Sequence, residues 1–458
     1  MSMLPVHRRA TLAGLLALAA CGPKIEPASS GLTLPARFSE SQAPANWPDI
    51  GWWKGFGSPE LDALMDKANT GNFDIAQAIA RIRQADAQLR ISGASLLPSI
   101  SVGADNSRSR SSAGGRAYTQ SSHSVTASAS YEVDFWGRNR STAESARQSL
   151  RYAQYDAETV RLTQLATVAN TYFEILEAEA ELAVQRQNLD AAQRILDVLR
   201  AQLAAGTATG LDVVQQETTV AQTDAQIPAL EQTAAQGRNT LAVLLGEAPE
   251  NIVIAGGGFD TLMVPHASPG QPSELIARRP DVWAAEASLG AANANVAAAR
   301  AALLPSVTLS AEAGWSATAL SALFTPAAGL WSLAASVTQT VFDGGALRGQ
   351  VELSRAEAEE LLYAYRAAIM TALQEVENAI IGLRQSEEQE RRLRIAVDRA
   401  ERAYAIAEAQ LRGGTVTLTT VLQTQQTLFS ARLSLVQARL TTLEAAVTLF
   451  RVLGGGWR

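Results

Sequence analysis

The chain has 458 residues, 38 basic against 45 acidic side chains, a net charge of −7 and one cysteine. A single cysteine excludes an intrachain disulfide, and the acidic balance argues against nucleic acid as a partner. His7, His123 and His266 lie too far apart for metal-ligand spacing, and no phosphate loop, Ser/His/Asp set or paired-carboxylate motif stands out, so neither a metal nor an enzymatic activity is expected.

Residues 1–20 read as a lipoprotein signal peptide. His7, Arg8 and Arg9 give a positive start, and residues 10–20 form an apolar run too short to span a bilayer. The run ends in Leu18-Ala19-Ala20-Cys21, small residues before the only cysteine, which resembles a bacterial lipoprotein signal with Cys21 as the acylated N-terminus. Removing Arg8 and Arg9 from the 38 basic residues leaves 36 against 45 acids, a mature net charge of −9. No later stretch of 18 apolar residues reads as a transmembrane helix.

Residues 21–48, rich in Pro, Ser and Gly, read as a tether. Residues 49–250 form a first repeat. Trp52-Trp53-Lys54-Gly55-Phe56-Gly57-Ser58-Pro59-Glu60-Leu61 leads into helical patterning, a helix is predicted over 74–95, and Pro98 stops it. Strand periodicity follows over about 99–109 and 122–135, with residues 107–122 read as a polar loop. On the return strand Val125, Ala127, Ala129, Tyr131, Val133 and Phe135 share one face, and Ser124, Thr126, Ser128, Ser130, Glu132 and Asp134 the other. A proline-free helix is predicted over about 138–205, with Leu162, Leu165, Ala169, Tyr172 and Leu176 in steps of three and four. Ala205-Gly206-Thr207 breaks it, and a further helix is predicted over about 211–246.

Residues 251–280 read as a linker, and 281–453 repeat the pattern. The predicted elements are a helix over 281–302, strands over 306–316 and 331–342, and helices over 345–412 and 416–453, with a tail at 454–458. Leu303-Leu304-Pro305 repeats Leu96-Leu97-Pro98 after 207 residues, and Gly413-Gly414-Thr415 repeats Ala205-Gly206-Thr207 after 208. Strands of ten to twelve residues with one apolar face match membrane-spanning β-strands. Trp315 and Trp331 flank one loop, and Phe135, Trp136 and Phe342 lie at the opposite ends, as interfacial aromatic girdles would. Each long helix extends about 100 Å at ~1.5 Å per residue. Four strands cannot close a barrel, and an open edge has no partners in lipid, so several copies must share one; two, three or four would close it.

These stretches together resemble the TolC-type outer-membrane efflux factors, in their lipoprotein branch. Further support comes from Asp134-Phe135-Trp136-Gly137-Arg138, Arg278-Arg279-Pro280-Asp281-Val282, Phe342-Asp343-Gly344-Gly345 and Leu453-Gly454-Gly455-Gly456-Trp457. The resemblance implies an α+β membrane protein. Its homotrimer would build a 12-stranded outer-membrane β-barrel continuous with a 12-helix periplasmic α-barrel, each chain giving four strands and four coiled-coil helical layers. It implies a passive exit duct of a tripartite efflux system. The partners would be a periplasmic membrane-fusion adaptor, an inner-membrane transporter of the RND type, and outer-membrane lipid. The only attached group would be the acyl lipid on Cys21. Gly206, Thr207, Gly414 and Thr415 would be the docking tips for the adaptor. Asp212, Gln423 and Gln426 would lie in the gate region; Gln423 and Gln426 stand where relatives often keep an Asp and an Arg, so a charged lock is not expected there. Ser124, Thr126, Ser128, Ser130, Glu132, Asp134, Thr308 and Glu312 would line the barrel lumen. The rival readings are a duct for type I protein secretion, which shares the architecture, and a structural periplasmic coiled coil, which has no need of the alternating strands.

Overall fold

The computed structural model describes residues 29–39, 45–114, 116–256 and 258–457; Cys21 and the signal lie outside them. Two compact units form. One comprises Arg81–Gln154 and Ala284–Ala367 with the stretch ending at Gly31; the other comprises Leu32–Ala80, Tyr155–Trp283 and Ala368–Arg458. No helix among the described residues is long and apolar enough to cross a membrane.

The first unit carries a four-stranded antiparallel sheet in the order β1 (Ser99–Ala113), β2 (Arg116–Val133), β3 (Ser306–Ala317) and β4 (Gly329–Thr338). The helix before each hairpin, α2 (Phe73–Ala94) or α7 (Pro280–Ala301), ends in the same tight turn at its Leu-Leu-Pro. Leu96 and Leu97 N–H donate to Gly93 and Ala94, and Leu303 and Leu304 to Arg300 and Ala301. Pro98 and Pro305, which have no N–H to extend the helix, follow, and the strands begin one residue later at Ser99 and Ser306.

The strands differ from expectation at their ends. Residues 107–122 are not a loop: Ser107 pairs with Ser122, and the ladder continues to the Ala113–Arg116 pair. Polar side chains lowered the apparent strand signal, but ladder hydrogen bonds need only backbone, and the first break is Gly114, with φ 59°. β2 ends at Val133 and β4 at Thr338, so Asp134, Phe135 and Phe342 lie beyond the sheet. Trp136 instead donates from Nε1 to the Pro305 carbonyl at 2.7 Å. Trp315 and Trp331 do lie in the sheet, at the β3–β4 loop end.

The long helices are α3 (Arg138–Ala204) and α8 (Ala346–Arg412), each of 67 residues. After the first tip the expected single helix is two, α4 (Gly210–Asp224) and α5 (Ile227–Leu245). Pro228 explains the interruption, because it lacks the N–H that would continue the ladder. The second copy has no proline there and runs unbroken as α9 (Leu418–Val452). The 251–280 linker contains short turns and the one-turn helix α6 (Pro272–Ile276).

The second unit holds two cores. One gathers α1 (Pro59–Gly71) and the Trp52–Phe56 turn against α3, α8 and α9. Trp52 stacks on Phe450 at 5.6 Å between centroids, and Phe56 meets Phe173 at 5.0 Å. The Ser58 side chain caps α1, accepting from Leu61 N–H, with Pro59 beginning the helix. Buried Arg279 ties α7 to both neighbours: it donates to Asp281 at 2.6 Å, to Glu375 at 2.7 Å and to the Val452 carbonyl at 3.3 Å. The other core lies toward the tips, from Ile195, Leu196, Leu199, Leu411, Val421 and Leu428 among others. Leu162, Leu165, Ala169, Tyr172 and Leu176 are all buried, as their spacing requires. Truncating fully buried Phe56 to Ala is expected to cost about 3–5 kcal/mol, read as a lower midpoint in the thermal loss of helical circular dichroism from detergent-solubilised protein.

Candidate functional site

The pairing register sorts the sheet into two faces. Opposite residues share a face, and successive residues along a strand do not. One face carries the rows Ser101–Ser128–Glu312–Ser332 and Ser99–Ser130–Ser310. The other carries Ile100–Ala129–Ala311–Leu333 and Val102–Ala127–Ala313–Trp331. Seven of the expected lumen residues, Ser124, Thr126, Ser128, Ser130, Glu132, Thr308 and Glu312, fall on the polar face together. Ser101 and Ser128 hydroxyls lie 2.8 Å apart across it.

Asp134 is placed elsewhere. It sits past the strand and closes the start of α3, accepting from the Asn139 and Arg140 N–H groups at 3.1 and 2.9 Å. Asp343 does the same for α8, accepting from Gly345 and Leu347 N–H at 2.9 and 2.8 Å, which holds its carboxyl below the usual range. Both are anions at a helix N-terminus, where unpaired N–H groups and the helix dipole favour negative charge.

The two tips are built alike. Gly206 (φ 73°) and Gly414 (φ 71°) take the left-handed conformation that ends a helix. Thr207 N–H reaches back to the Gln202 carbonyl at 2.8 Å, and Thr415 N–H to the Gln410 carbonyl at 3.0 Å. Each threonine hydroxyl donates to the same carbonyl, both at 3.1 Å. The repeated unit is therefore Gln-Leu-x-x-Gly-Thr, longer than the Gly-Thr pair visible from the breaks.

Beyond the tips the copies diverge. Asp212 is the partner in a capping box: its carboxylate accepts from Thr209 N–H at 2.8 Å, and Asp212 N–H donates to the Thr209 hydroxyl. The Thr209 backbone and hydroxyl together lower its acidity range. Thr417, in the matching position, makes no side-chain cap. Gln423 and Gln426 are exposed on α9. Between them Gln425 is 1% exposed, and its amide lies against the hydroxyl of buried Tyr404. Burial, then Glu408, pushes the Tyr404 hydroxyl up to about 12. Sequence periodicity alone gives no signal for this pair, because a Gln on a helix reads as solvent-facing.

A second group invisible to motif reading lies on α3 and α9. Glu174, Glu177 and Glu181 recur at helical spacing, and Glu444 faces them electrostatically. Gln437 donates to Glu181 at 2.9 Å. Burial, reinforced by Glu181, Glu444 and Glu174, raises Glu177 from 4.5 to about 8. Its raised folded value means the folded state holds the proton more tightly. Stability is greatest below the unfolded pKa and falls as pH rises from 4.5 toward about 8. Glu177→Gln should flatten that decline and unfold at a higher temperature than the parent at neutral pH, measured by thermal melts across the pH range.

The outer membrane efflux protein family model matches residues 64–247 and 271–455, one match for each repeat. The chain is similar to the pyoverdine export outer membrane protein OpmQ of Pseudomonas aeruginosa, 40% identical over 98% of this chain and 96% of that one. It is 33% identical to the outer membrane protein OprJ of the same organism, over 88% and 86%. Among solved structures it superposes on the outer-membrane channel OprN with a TM-score of 0.90 at 27% identity, covering 95% of this chain and 99% of that one. The chain belongs to the outer membrane efflux protein family, and it is an outer-membrane channel of the TolC type that extends into the periplasm.

Proposed function

We propose that three copies of this chain assemble one exit duct, which carries small molecules from the periplasm to the exterior without chemistry of its own. The observation that carries this is the two-faced sheet. A row of Ser and Glu across all four strands, with Thr rows beside it, suits a water-filled lumen, and the Ala, Val, Leu and Trp rows opposite suit lipid. β1 and β4 are both sheet edges, so the lining is completed by further copies. Acyl chains on Cys21 supplement an anchor the barrel already provides.

An inner-membrane transporter of the RND type supplies the energy, and a periplasmic adaptor couples it to the duct at the Gly206-Thr207 and Gly414-Thr415 tips. The similarity to a relative named for pyoverdine export supports a secreted small molecule as cargo. It disfavours the protein-secretion reading.

The closed state rests on packing and neutral hydrogen bonds near the second tip. Gln423 and Gln426 are exposed and uncharged, and Asp212 is engaged by its own helix cap. Gln425 and Tyr404, buried against each other in that core, are a neutral polar pair of this kind.

Two measurements test this reading. Purified protein in planar bilayers should form pores whose closed-state leak, corrected for bulk conductivity, changes little between roughly 0.1 and 1 M salt. A leak that climbs steeply would require a charged lock. Gly206→Val with Gly414→Val forces a side chain into the left-handed region at about 1–2 kcal/mol per tip. It should abolish export in cells while membrane-embedded trimers persist; full export would overturn the tips as docking points.

A further inference from the structure

The outward, apolar face of the sheet carries two charges among its described side chains, and both are arginines. Along β1 that face reads Ile100, Val102, Ala104, Asn106, Arg108, Arg110 and Ser112. The corresponding positions of β2 from Ala117 to Val133, and all those of β3 and β4, carry no Asp, Glu, Lys or Arg; His123 among them pairs with Asn106. Asp105, Glu132 and Glu312 all lie on the lumen face. Arg108 and Arg110 are exposed and make no ion pair with any described carboxylate.

Their height is set by the register. The apolar band runs on β2 from Val133 to Val125, where Val125 pairs with Trp315. Eight steps at ~3.3 Å, tilted by about 40°, give a band about 20 Å tall. Arg108 pairs with Ser121, four residues beyond Val125, and Arg110 with Thr119. That places the first guanidinium about 10 Å above the apolar band by the same geometry. At this level β2 pairs with β1 alone, because it pairs with β3 no further than the His123–Ala317 pair.

We propose that Arg108 and Arg110, with the Thr119 and Ser121 hydroxyls beside them, bind the phosphate groups of outer-leaflet lipid headgroups. The inference rests on the barrel reading above. Charge complementarity carries it: guanidinium forks match phosphate oxygens, and the surrounding face offers no competing anion. Outward-pointing arginines at the rim have no role in a lumen. In lipid they would be costly one step lower, and above the bilayer they meet the layer of phosphates. A hydrophobic band ending in paired arginines also fixes how deep the barrel sits.

The test uses full-length protein, wild type and the Arg108→Gln/Arg110→Gln variant, reconstituted in vesicles containing either bis-phosphorylated lipid A or its dephosphorylated form. Vesicle co-flotation is measured first. After transfer to neutral detergent, native mass spectrometry counts the retained lipid. The wild type is expected to retain phosphorylated lipid A, the variant roughly tenfold less, and neither protein to retain the dephosphorylated form. Excess inorganic phosphate is expected not to displace the lipid. Equal retention by both proteins, or of both lipids, would overturn the proposal. Displacement by inorganic phosphate would overturn the lipid assignment in favour of a free-anion site. Failure of the wild type to float with vesicles would overturn the barrel reading itself, and this inference with it.

Discussion

An unpaired backbone amide in hydrocarbon has nothing to bond to, and most of this architecture follows from that constraint. The sheet satisfies it internally between β1 and β4, but its two outer edges are open within one chain. A longer barrel in one chain would solve the problem with more strands. This chain repeats its hairpin within itself, and the assembly proposed above would close the edges that remain. The small outward side chains follow from the same need. Ala127, Ala129, Ala311, Ala313 and Ala335 leave the strands free to twist and tilt, while Trp315 and Trp331 mark one edge of the apolar band.

The repeat supplies each transition with the same chemical device. Proline ends the helix where the strand must start. An aspartate, Asp134 or Asp343, then starts the long helix by accepting its free N–H groups. A glycine in the left-handed conformation ends that helix at Gly206 or Gly414. None of these devices depends on the chain's being a channel; each answers the orphan backbone groups of a helix end. That is why a duplicated sequence can keep them while everything between them drifts.

Much of this was legible in the sequence because periodicity reports burial. Period-two alternation gave the hairpins and their faces, and steps of three and four gave Leu165, Tyr172 and Leu176, which are all buried. The failures have equally specific causes. Residues 107–113 and 116–122 are strand although neither face is apolar, since outside the bilayer nothing requires an apolar face. Pro228 divides a helix whose periodicity continues across it. Asp134 follows the alternation of β2 by one step too many and belongs to the next element. Gln425 and Glu177 are buried polar groups, and a sequence pattern that equates polarity with solvent cannot find them.

The two copies differ most where function would act, and the differences are polar. The first tip is followed by a reciprocal Thr209–Asp212 cap, while the second is followed by Thr417 without one and by the buried amide of Gln425 in its core. The first β-hairpin extends well past the second and carries Arg108 and Arg110 on its outer face, whereas the second turns back through Leu320 and Phe324, both exposed. Sheet and helix geometry tolerate neither asymmetry nor strain cheaply in the hydrophobic regions, where a misplaced side chain costs burial. Hydrogen-bonding residues at tips and rims are under no such restriction. A duplicated channel can therefore keep its shared transitions and vary its two ends: one copy caps the helix after its tip and lengthens its hairpin, and the other does neither.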